Sequence, residues 1–197
     1  MSDPSSAAAV IRELKLAQRE FYEKAAKNVF FKKSQKMECA RLVFERFDLA
    51  TLMANTCYPV PGADAHIFLD YPVFKMFANE RNYGAIVAHI MALLDRTIAA
   101  HGGFEFHVDL DSFTVSAAER YRPIIDIFSN ACLASNTLYS ELMGAMHVYH
   151  TPSVVDAVSK MLGPIVPPVI KTKLRFLSKV ESPERLRALL APAGGER

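Results

Sequence analysis

The stretch from Glu141 to Leu177, ELMGAMHVYHTPSVVDAVSKMLGPIVPPVIKTKLRFL, holds three different elements in close order. The apolar run from Ala145 to His150 predicts a strand. Pro152 then predicts the first turn of a helix, where proline is tolerated, and GPIVPPVI, with its three prolines, is expected to be irregular. KTKLRFL predicts a short strand before a capped last helix that begins at Ser182. A strand, a helical crossover and a second strand indicate a parallel βαβ unit.

Two further strands are predicted upstream, and each is followed by a helical pattern. Ala65–Tyr71 (AHIFLDY) is rich in β-forming residues, and Val73–Phe77 either extends this strand or forms a separate turn. FEFHVDLDSFTV, starting at Phe104, alternates apolar with polar residues and is the clearest strand pattern in the chain. Helices are expected between Asn82 and Gly102 and over residues 116–136. The fold class predicted is therefore α/β, a mainly parallel sheet flanked by helices.

The N-terminal part of the chain is predicted to be a short helical lead-in. Residues 7–31 show helical spacing of apolar side chains, and a second helix is expected over residues 37–55. The lysines of FFKKSQK are interpreted as the end of the first helix or, as the alternative, as a membrane contact. The proline-rich and glycine-containing stretch YPVPGADA is expected to be an irregular loop and the internal boundary. The predicted division is a helical segment over residues 1–58 and a second domain over residues 65–195.

Composition narrows the classes of function. The chain has 197 residues, 51% of them hydrophobic, and a formal net charge of +2, so no nucleic-acid partner is expected. From residue 152 onward the sequence has eight Lys and Arg residues and four Asp and Glu residues. This surplus indicates either a solvated face or contact with an anionic membrane surface. No secretory signal and no apolar run near the ~20 residues of a membrane span are found, so a cytoplasmic protein with peripheral membrane contact is expected.

No familiar catalytic or cofactor motif appears, so we expect neither an enzyme nor a cofactor or metal site. His147 and His150 are three residues apart, which on a strand places them on opposite faces, one half-buried and one exposed. Asp109 and Asp111 share a strand face. Their carboxylates either cap main-chain N–H groups or are solvated at the end of the strand, or they bind a cation.

The ordered pieces resemble the CRAL-TRIO domain, the lipid-binding fold of the phosphatidylinositol-transfer and tocopherol-transfer proteins. In that family a tyrosine-and-acid segment leads into a strand, a small-Pro turn, an amphipathic gate helix, a basic strand and a final helix near a PE pair. The similar pieces here are Tyr139–Met143, Ala145–Tyr149, Thr151-Pro152, Ser153–Leu162, Lys171–Leu177 and Pro183-Glu184. The resemblance covers residues 65–195. The short lead-in, the Leu142-Met143 pair and the PIVPP interruption are typical of a divergent branch.

The resemblance implies a gated cavity that binds a small hydrophobic ligand or a phospholipid, with a phosphoinositide favoured and no covalent chemistry. It implies that Glu141 accepts hydrogen bonds from inositol hydroxyls and that Lys173 neutralises a phosphate. Strand alternation places Lys171, Lys173 and Arg175 on one face, either as a cationic strip for the head group or as a charged edge strand. The residues assigned to the pocket and gate are Val154, Val155, Val158, Met161, Leu162, Phe106, Val108, Phe128, Met146 and Val148.

A protein-interaction or scaffold module on the same fold is the alternative. The helix at residues 7–31 offers a surface for a protein partner. Phe74, Met76 and Phe77 crowd into a short stretch and could fill the cavity.

Overall fold

The computed structural model describes residues 4–25, 32–151 and 168–191, and a five-stranded sheet lies at its centre. The strands are β1 (Cys57–Val60), β2 (Ala63–Asp70), β3 (Phe104–Asp109), β4 (Met143–Tyr149) and β5 (Leu174–Phe176). They lie side by side in chain order, with β1 antiparallel to β2 and every other neighbouring pair parallel. The predicted α/β class with a mainly parallel sheet is confirmed.

Helices connect and flank these strands. They are α1 (Pro4–Lys24), α2 (Lys32–Phe44), α3 (Leu49–Ala54), α4 (Tyr71–Phe77), α5 (Tyr83–His101), α6 (Val115–Ala134), α7 (Tyr139–Leu142), α8 (Pro168–Lys173) and α9 (Ser182–Leu190). The crossover from β2 to β3 contains α4 and α5, and the crossover from β3 to β4 contains α6. Gly102 ends α5 with a φ of 73°, a left-handed conformation in which glycine has no steric penalty.

The hydrophobic core lies between one face of the sheet and these crossover helices. Ile67, Phe104 and Phe106 point into it from β2 and β3, and the apolar sides of α4, α5 and α6 close over them. Because side chains alternate along a strand, this face uses every second residue of β2 and β3. In β4 a register shift puts both Met143 and Met146 on this face, opposite Phe104 and Phe106. We call it the core face of the sheet.

The N-terminal helices belong to the same core, although their bounds differ from those predicted. Leu14 of α1 and Val43 of α2 are fully buried in the core cluster. The prediction that FFKKSQK ends a helix is wrong, since α2 begins at Lys32. The single helix predicted over residues 37–55 is two helices, because Asp48 starts α3 by accepting the Thr51 N–H at 2.8 Å. Residues 26–31 of the first predicted helix lie outside the described residues.

The stretch predicted to be an irregular loop, YPVPGADA, is instead most of a β-hairpin. β1 pairs with β2 from Cys57↔Leu69 to Val60↔Ala63, and Gly62 in the turn has a φ of 79°. Pro59 is tolerated because β1 is an edge strand, where one side needs no ladder hydrogen bond. The division of the chain at residues 58 and 65 stays a prediction.

Two other local predictions are corrected by helices that the sequence pattern did not indicate. Val73–Phe77 neither extends β2 nor forms an isolated turn, but lies in α4, which Asp70 caps by accepting the Val73 N–H at 2.8 Å. Residues 171–173 of the predicted strand KTKLRFL belong to α8, and only Leu174–Phe176 forms β5. The helix predicted from Ser182 is confirmed as α9.

Helix α5 is long and apolar enough to cross a membrane by length and composition, with a mean hydropathy of 1.3. The expectation that no segment approaches this length is therefore wrong on those two criteria. The apolar side of the helix nevertheless has a place in the fold, since Ile86, Ile90 and Leu94 are buried in the core. A core helix passes the same test of length and composition as a membrane span.

Candidate functional site

The face of the sheet opposite the core face carries polar and aromatic side chains on the central strands β2, β3 and β4. The strand register places His107 of β3 beside His147 of β4, and His66 of β2 beside Glu105 of β3. Tyr149 follows two residues after His147, on the same face of β4. We call His66, Glu105, His107, His147 and Tyr149 the histidine cluster, and the sheet face that carries them the histidine face.

His107 is the centre of the cluster and contacts two neighbours through its two ring nitrogens. Its Nε2 lies 2.9 Å from His66 Nδ1, and its Nδ1 lies 3.0 Å from the Tyr149 hydroxyl. The rings of His66 and His107 are tilted by only 15°, with centroids 5.1 Å apart. With the two nitrogens only 2.9 Å apart, ring centroids can be 5.1 Å apart only if both nitrogens lie on the line between the rings. The two rings therefore meet edge to edge.

Burial controls the protonation of His107, whose side chain is only 4% exposed. Desolvation, and then the nearby His147 and His66, lower the pKa of His107 to about 3. The ring is therefore neutral near pH 7 and has one N–H donor and one lone pair. Its two contacts match this inventory, because the Tyr149 hydroxyl and the His66 ring can each donate or accept.

Glu105 brings a carboxylate to the same place. Its Oε2 lies 3.0 Å from His147 Nε2, 3.9 Å from His66 Nδ1 and 4.0 Å from His107 Nε2. The rings of His107 and His147 stack with an angle of 6° and centroids 4.6 Å apart. One carboxylate oxygen and two imidazole nitrogens, those of His66 and His107, thus converge within 4.8 Å of one another.

A second polar group lies where β2, β3 and β4 end. Asp109 Oδ1 is 2.7 Å from His150 Nδ1 and accepts the Asp111 N–H at 2.8 Å. Lys75 donates to the hydroxyl of Ser112. Carboxyl ends of parallel strands are the usual ligand-binding edge of such sheets. This group lies at that edge, and its contacts join residues of the chain to one another.

Electrostatics at this edge raise the pKa of Asp70 to about 6. Burial is the main cause, and the charge of Asp109 adds to it, while the hydrogen bond from the Val73 N–H opposes it. Burial and then Asp70 raise the pKa of Tyr58 to about 12. Carboxylates at residues 70 and 109 are register partners in β2 and β3, so they are held side by side.

The expectations for His150 and the aspartates need correction. His150 lies beyond the end of β4 in a left-handed conformation with a φ of 48°, so strand alternation does not apply to it. The side chains of His147 and His150 are 27% and 18% exposed, so both are half-buried. Asp109 ends β3, and Asp111 lies beyond the strand and contacts Asp109 through its main chain.

The predicted head-group residues Glu141 and Lys173 are close together, but through the main chain. The Lys173 ammonium donates to the carbonyl oxygens of Ser140, Glu141 and Met143 at 2.9, 2.9 and 2.6 Å. An ammonium has three N–H donors, so these bonds engage all of them. Lys173 therefore fastens α8 to the end of α7, and the Glu141 side chain is exposed beside it.

The predicted cationic strip of Lys171, Lys173 and Arg175 on one strand face is wrong. Lys171 and Lys173 are in α8 and Arg175 is in β5, so period-two alternation does not relate them. Lys171 and Arg175 are exposed. Arg175 Nη1 donates to the carbonyls of Thr172 and Leu174, both at 3.0 Å.

The residues assigned to the lipid pocket fall into two groups. Phe106 is buried in the core, with Val108, Met146 and Phe128 packed against it. Val148 is also buried, beside Val108 in the register. The gate residues Val154, Val155, Val158, Met161 and Leu162 lie outside the described residues. Their assignment to a lipid pocket stays a prediction. The crowded side chains of Phe74, Met76 and Phe77 are buried in the core at α4.

Sequence reasoning missed His66, Glu105, His107 and Tyr149 as a site. The alternation in FEFHVDLDSFTV puts Glu105 and His107 on one face, but the pattern was interpreted only as evidence for a strand. A histidine in each of three strand segments was the available signal. It becomes informative only when the register is known, because the partners of His107 are 41 and 42 residues away in the chain.

Comparison with known proteins completes the description of the site. A family model described as the CRAL/TRIO domain matches residues 67–193, well over half of the chain. The match begins in β2 and extends past α9, so it includes β3, β4 and β5. It also includes the polar group at the strand ends and the histidine cluster apart from His66. None of the curated proteins matches the sequence.

Proposed function

This chain belongs to the CRAL/TRIO domain family, and on that premise we propose that it binds one phospholipid, preferably a phosphoinositide, in a gated cavity and exchanges it with membranes. Domains of this family bind hydrophobic ligands or lipids in general. The proposed step is non-covalent exchange, aided by the basic C-terminal quarter during transient contact of a cytoplasmic protein with an anionic membrane surface. The family match over residues 67–193 is the observation that carries the proposal.

The head-group preference is supported by exposed charges near the junction of α7, α8 and β5. Lys171 and Arg175 are exposed cations, and Glu141 is an exposed acceptor. Arg175 has five N–H donors and its Nη1 contacts two carbonyls, so the guanidinium retains donors for a phosphate. Because Lys173 is engaged with carbonyl oxygens, we assign it the role of holding this junction together. The gate itself, proposed for residues 153–162, is supported by the family resemblance.

The test measures lipid capture. Purified protein is incubated with phosphatidylcholine vesicles, with or without phosphatidylinositol 4-phosphate, recovered, and analysed by native mass spectrometry. The expected result is a mass increase of one phospholipid, with the phosphoinositide enriched over its share in the vesicles. Lys171→Ala combined with Arg175→Ala should remove that enrichment and leave phosphatidylcholine capture intact. Lys179→Ala, at an exposed lysine close by, is the matched control and should change neither.

A protein-interaction module is the second candidate, and a groove between α1 and α2 favours it. The groove has a volume of about 440 Å³. Apolar side chains of Ala17, Phe21 and Val43 line it, and the Arg46–Glu20 ion pair, 2.7 Å long, lies at its rim. A protein that emerges from both vesicle incubations without lipid contradicts the transfer proposal and leaves this one.

A further inference from the structure

The histidine cluster has the composition of a transition-metal site, and we propose that His66 Nδ1, His107 Nε2 and Glu105 Oε2 bind a Zn²⁺ ion. Two imidazole nitrogens and one carboxylate oxygen form a common ligand set for zinc that leaves a fourth position open. Nitrogen donors make Mg²⁺ and Ca²⁺ poor occupants, since those ions prefer oxygen. This inference does not depend on the lipid-binding proposal.

The distances between the three donors are close to those of a coordinated set. Zinc bonds of about 2.0–2.2 Å in a tetrahedron place ligand atoms roughly 3.3–3.5 Å apart. The observed separations are 2.9 Å between the two nitrogens and 3.9 and 4.0 Å from Glu105 Oε2 to those of His66 and His107. Each separation must change by roughly 0.4–0.7 Å to reach the tetrahedral value.

The side chains that have to move are the ones with room to do so. His66 is 33% exposed and Glu105 is 38% exposed, while His107 at 4% is fixed. In the ligand-free arrangement the His66 and His107 nitrogens share a hydrogen bond along their lone-pair directions. Zinc binding therefore requires His66 to turn and to carry its proton on Nε2. Both coordinated nitrogens are then unprotonated and both rings stay neutral.

Two of the three donors already have the outer hydrogen-bond partners that metal ligands use. A histidine ligand usually donates its other ring N–H to a nearby acceptor, and a carboxylate ligand is itself hydrogen-bonded. His107 has Tyr149 at 3.0 Å from its Nδ1, and with the proton on that nitrogen the Nε2 lone pair, which contacts His66 in the ligand-free arrangement, is the one that meets the metal. Glu105 Oε2 has His147 at 3.0 Å. These partners hold His107 and Glu105 in place on either side of the proposed metal position.

Metal binding is tested on the full chain without a histidine tag, after treatment with a chelator. Titration with Zn²⁺ in a calorimeter should show one ion per chain, and Co²⁺ should give the visible absorption of a tetrahedral site. His66→Ala and Glu105→Gln should abolish both signals. Tyr149→Phe should weaken Zn²⁺ binding by roughly 10–100-fold, as loss of an outer partner does. His101→Ala, at an exposed histidine at the end of α5, should change nothing.

Circular dichroism of each variant distinguishes loss of the metal site from loss of the fold. His66→Ala and Glu105→Gln change partly exposed side chains, so both variants are expected to fold. The proposal is overturned if the folded wild-type protein binds no Zn²⁺, or if His66→Ala and Glu105→Gln bind it as tightly as the wild type. Lipid capture in the vesicle assay is read separately. Failure of either proposal can therefore be recognised without the other.

Discussion

The two faces of β3 differ in how they hold their neighbours. Phe104 and Phe106 point into the core face and contact the crossover helices through apolar surface. Glu105 and His107, one residue further along in each case, point to the histidine face and contact β2 and β4 through oriented polar atoms. The core face gains stability from area removed from water, whereas the histidine face depends on each donor meeting an acceptor.

This difference has a consequence for function. Apolar packing tolerates rearrangement as long as volume is conserved, but a buried polar network loses its value when a single partner is removed. The histidine face therefore depends on the positions of particular nitrogen and oxygen atoms. Precise placement of donors is a property that ligand binding can use. Substitutions on the two faces should separate these contributions.

The largest expected effect is on the core face. Phe106→Ala removes a ring that is only 7% exposed and leaves a cavity against the crossover helices. It should lower the free energy of unfolding by about 3–5 kcal/mol, measured by urea denaturation. Glu105→Gln, the adjacent residue on the histidine face, is the control and should lower it by less than about 1 kcal/mol. Equal losses for the two variants would contradict the division into faces.

The next effect concerns pH at the carboxyl ends of the strands. The pKa of Asp70 is raised to about 6 in the fold, so the folded chain binds a proton more tightly than the unfolded chain does. The free energy of unfolding should therefore fall as the pH rises from about 4 to about 6. Asp70→Asn keeps an acceptor for the Val73 N–H and should flatten that fall. Well above pH 6 the variant should be more stable than the wild type by about 3 kcal/mol. A wild-type curve that rises over this interval, with the variant parallel to it, would show that Asp70 is not the group responsible.

The smallest expected effect compares two tyrosine hydroxyls. Tyr149→Phe removes the hydroxyl that contacts His107 Nδ1 on the histidine face and should lower the free energy of unfolding by about 1 kcal/mol. Tyr83→Phe is the matched variant on the helix side. The Tyr83 hydroxyl is buried without a hydrogen-bond partner in the described part of the chain, so its removal should be neutral or stabilising. Thermal denaturation measures both, and a larger loss for Tyr83→Phe would contradict the comparison.

The fold was largely predictable because its main elements have strong local patterns. The alternation in β3, the glycine after α5 and the start of α9 at Ser182 were all predicted from sequence. The failures are at places where context overrides local preference. Proline at residue 59 was interpreted as a strand breaker, but β1 is an edge strand that does not need that N–H. The pattern KTKLRFL suited a strand, yet its first three residues end α8.

The candidate sites were less predictable than the fold. Glu141 and Lys173 were placed together by the family resemblance, and the structure does bring them together. The contact, however, joins an ammonium to main-chain carbonyls, which no side-chain pattern can indicate. The pKa of His107 likewise follows from burial between strands and not from its sequence neighbours.

The sequence by itself determined which residues of β2 and β3 share a sheet face, and that His147 and Tyr149 share one in β4, because strand geometry alternates side chains with a period of two. Only the tertiary structure decided which of those residues are neighbours, because register is set by pairing between segments about forty residues apart. That pairing puts Glu105 opposite His66, and it brings His107 against both His66 and His147. The convergence of one carboxylate and these imidazoles is therefore a product of register, and His147 and Tyr149 are what the described residues between Glu141 and Leu177 contribute to the cluster.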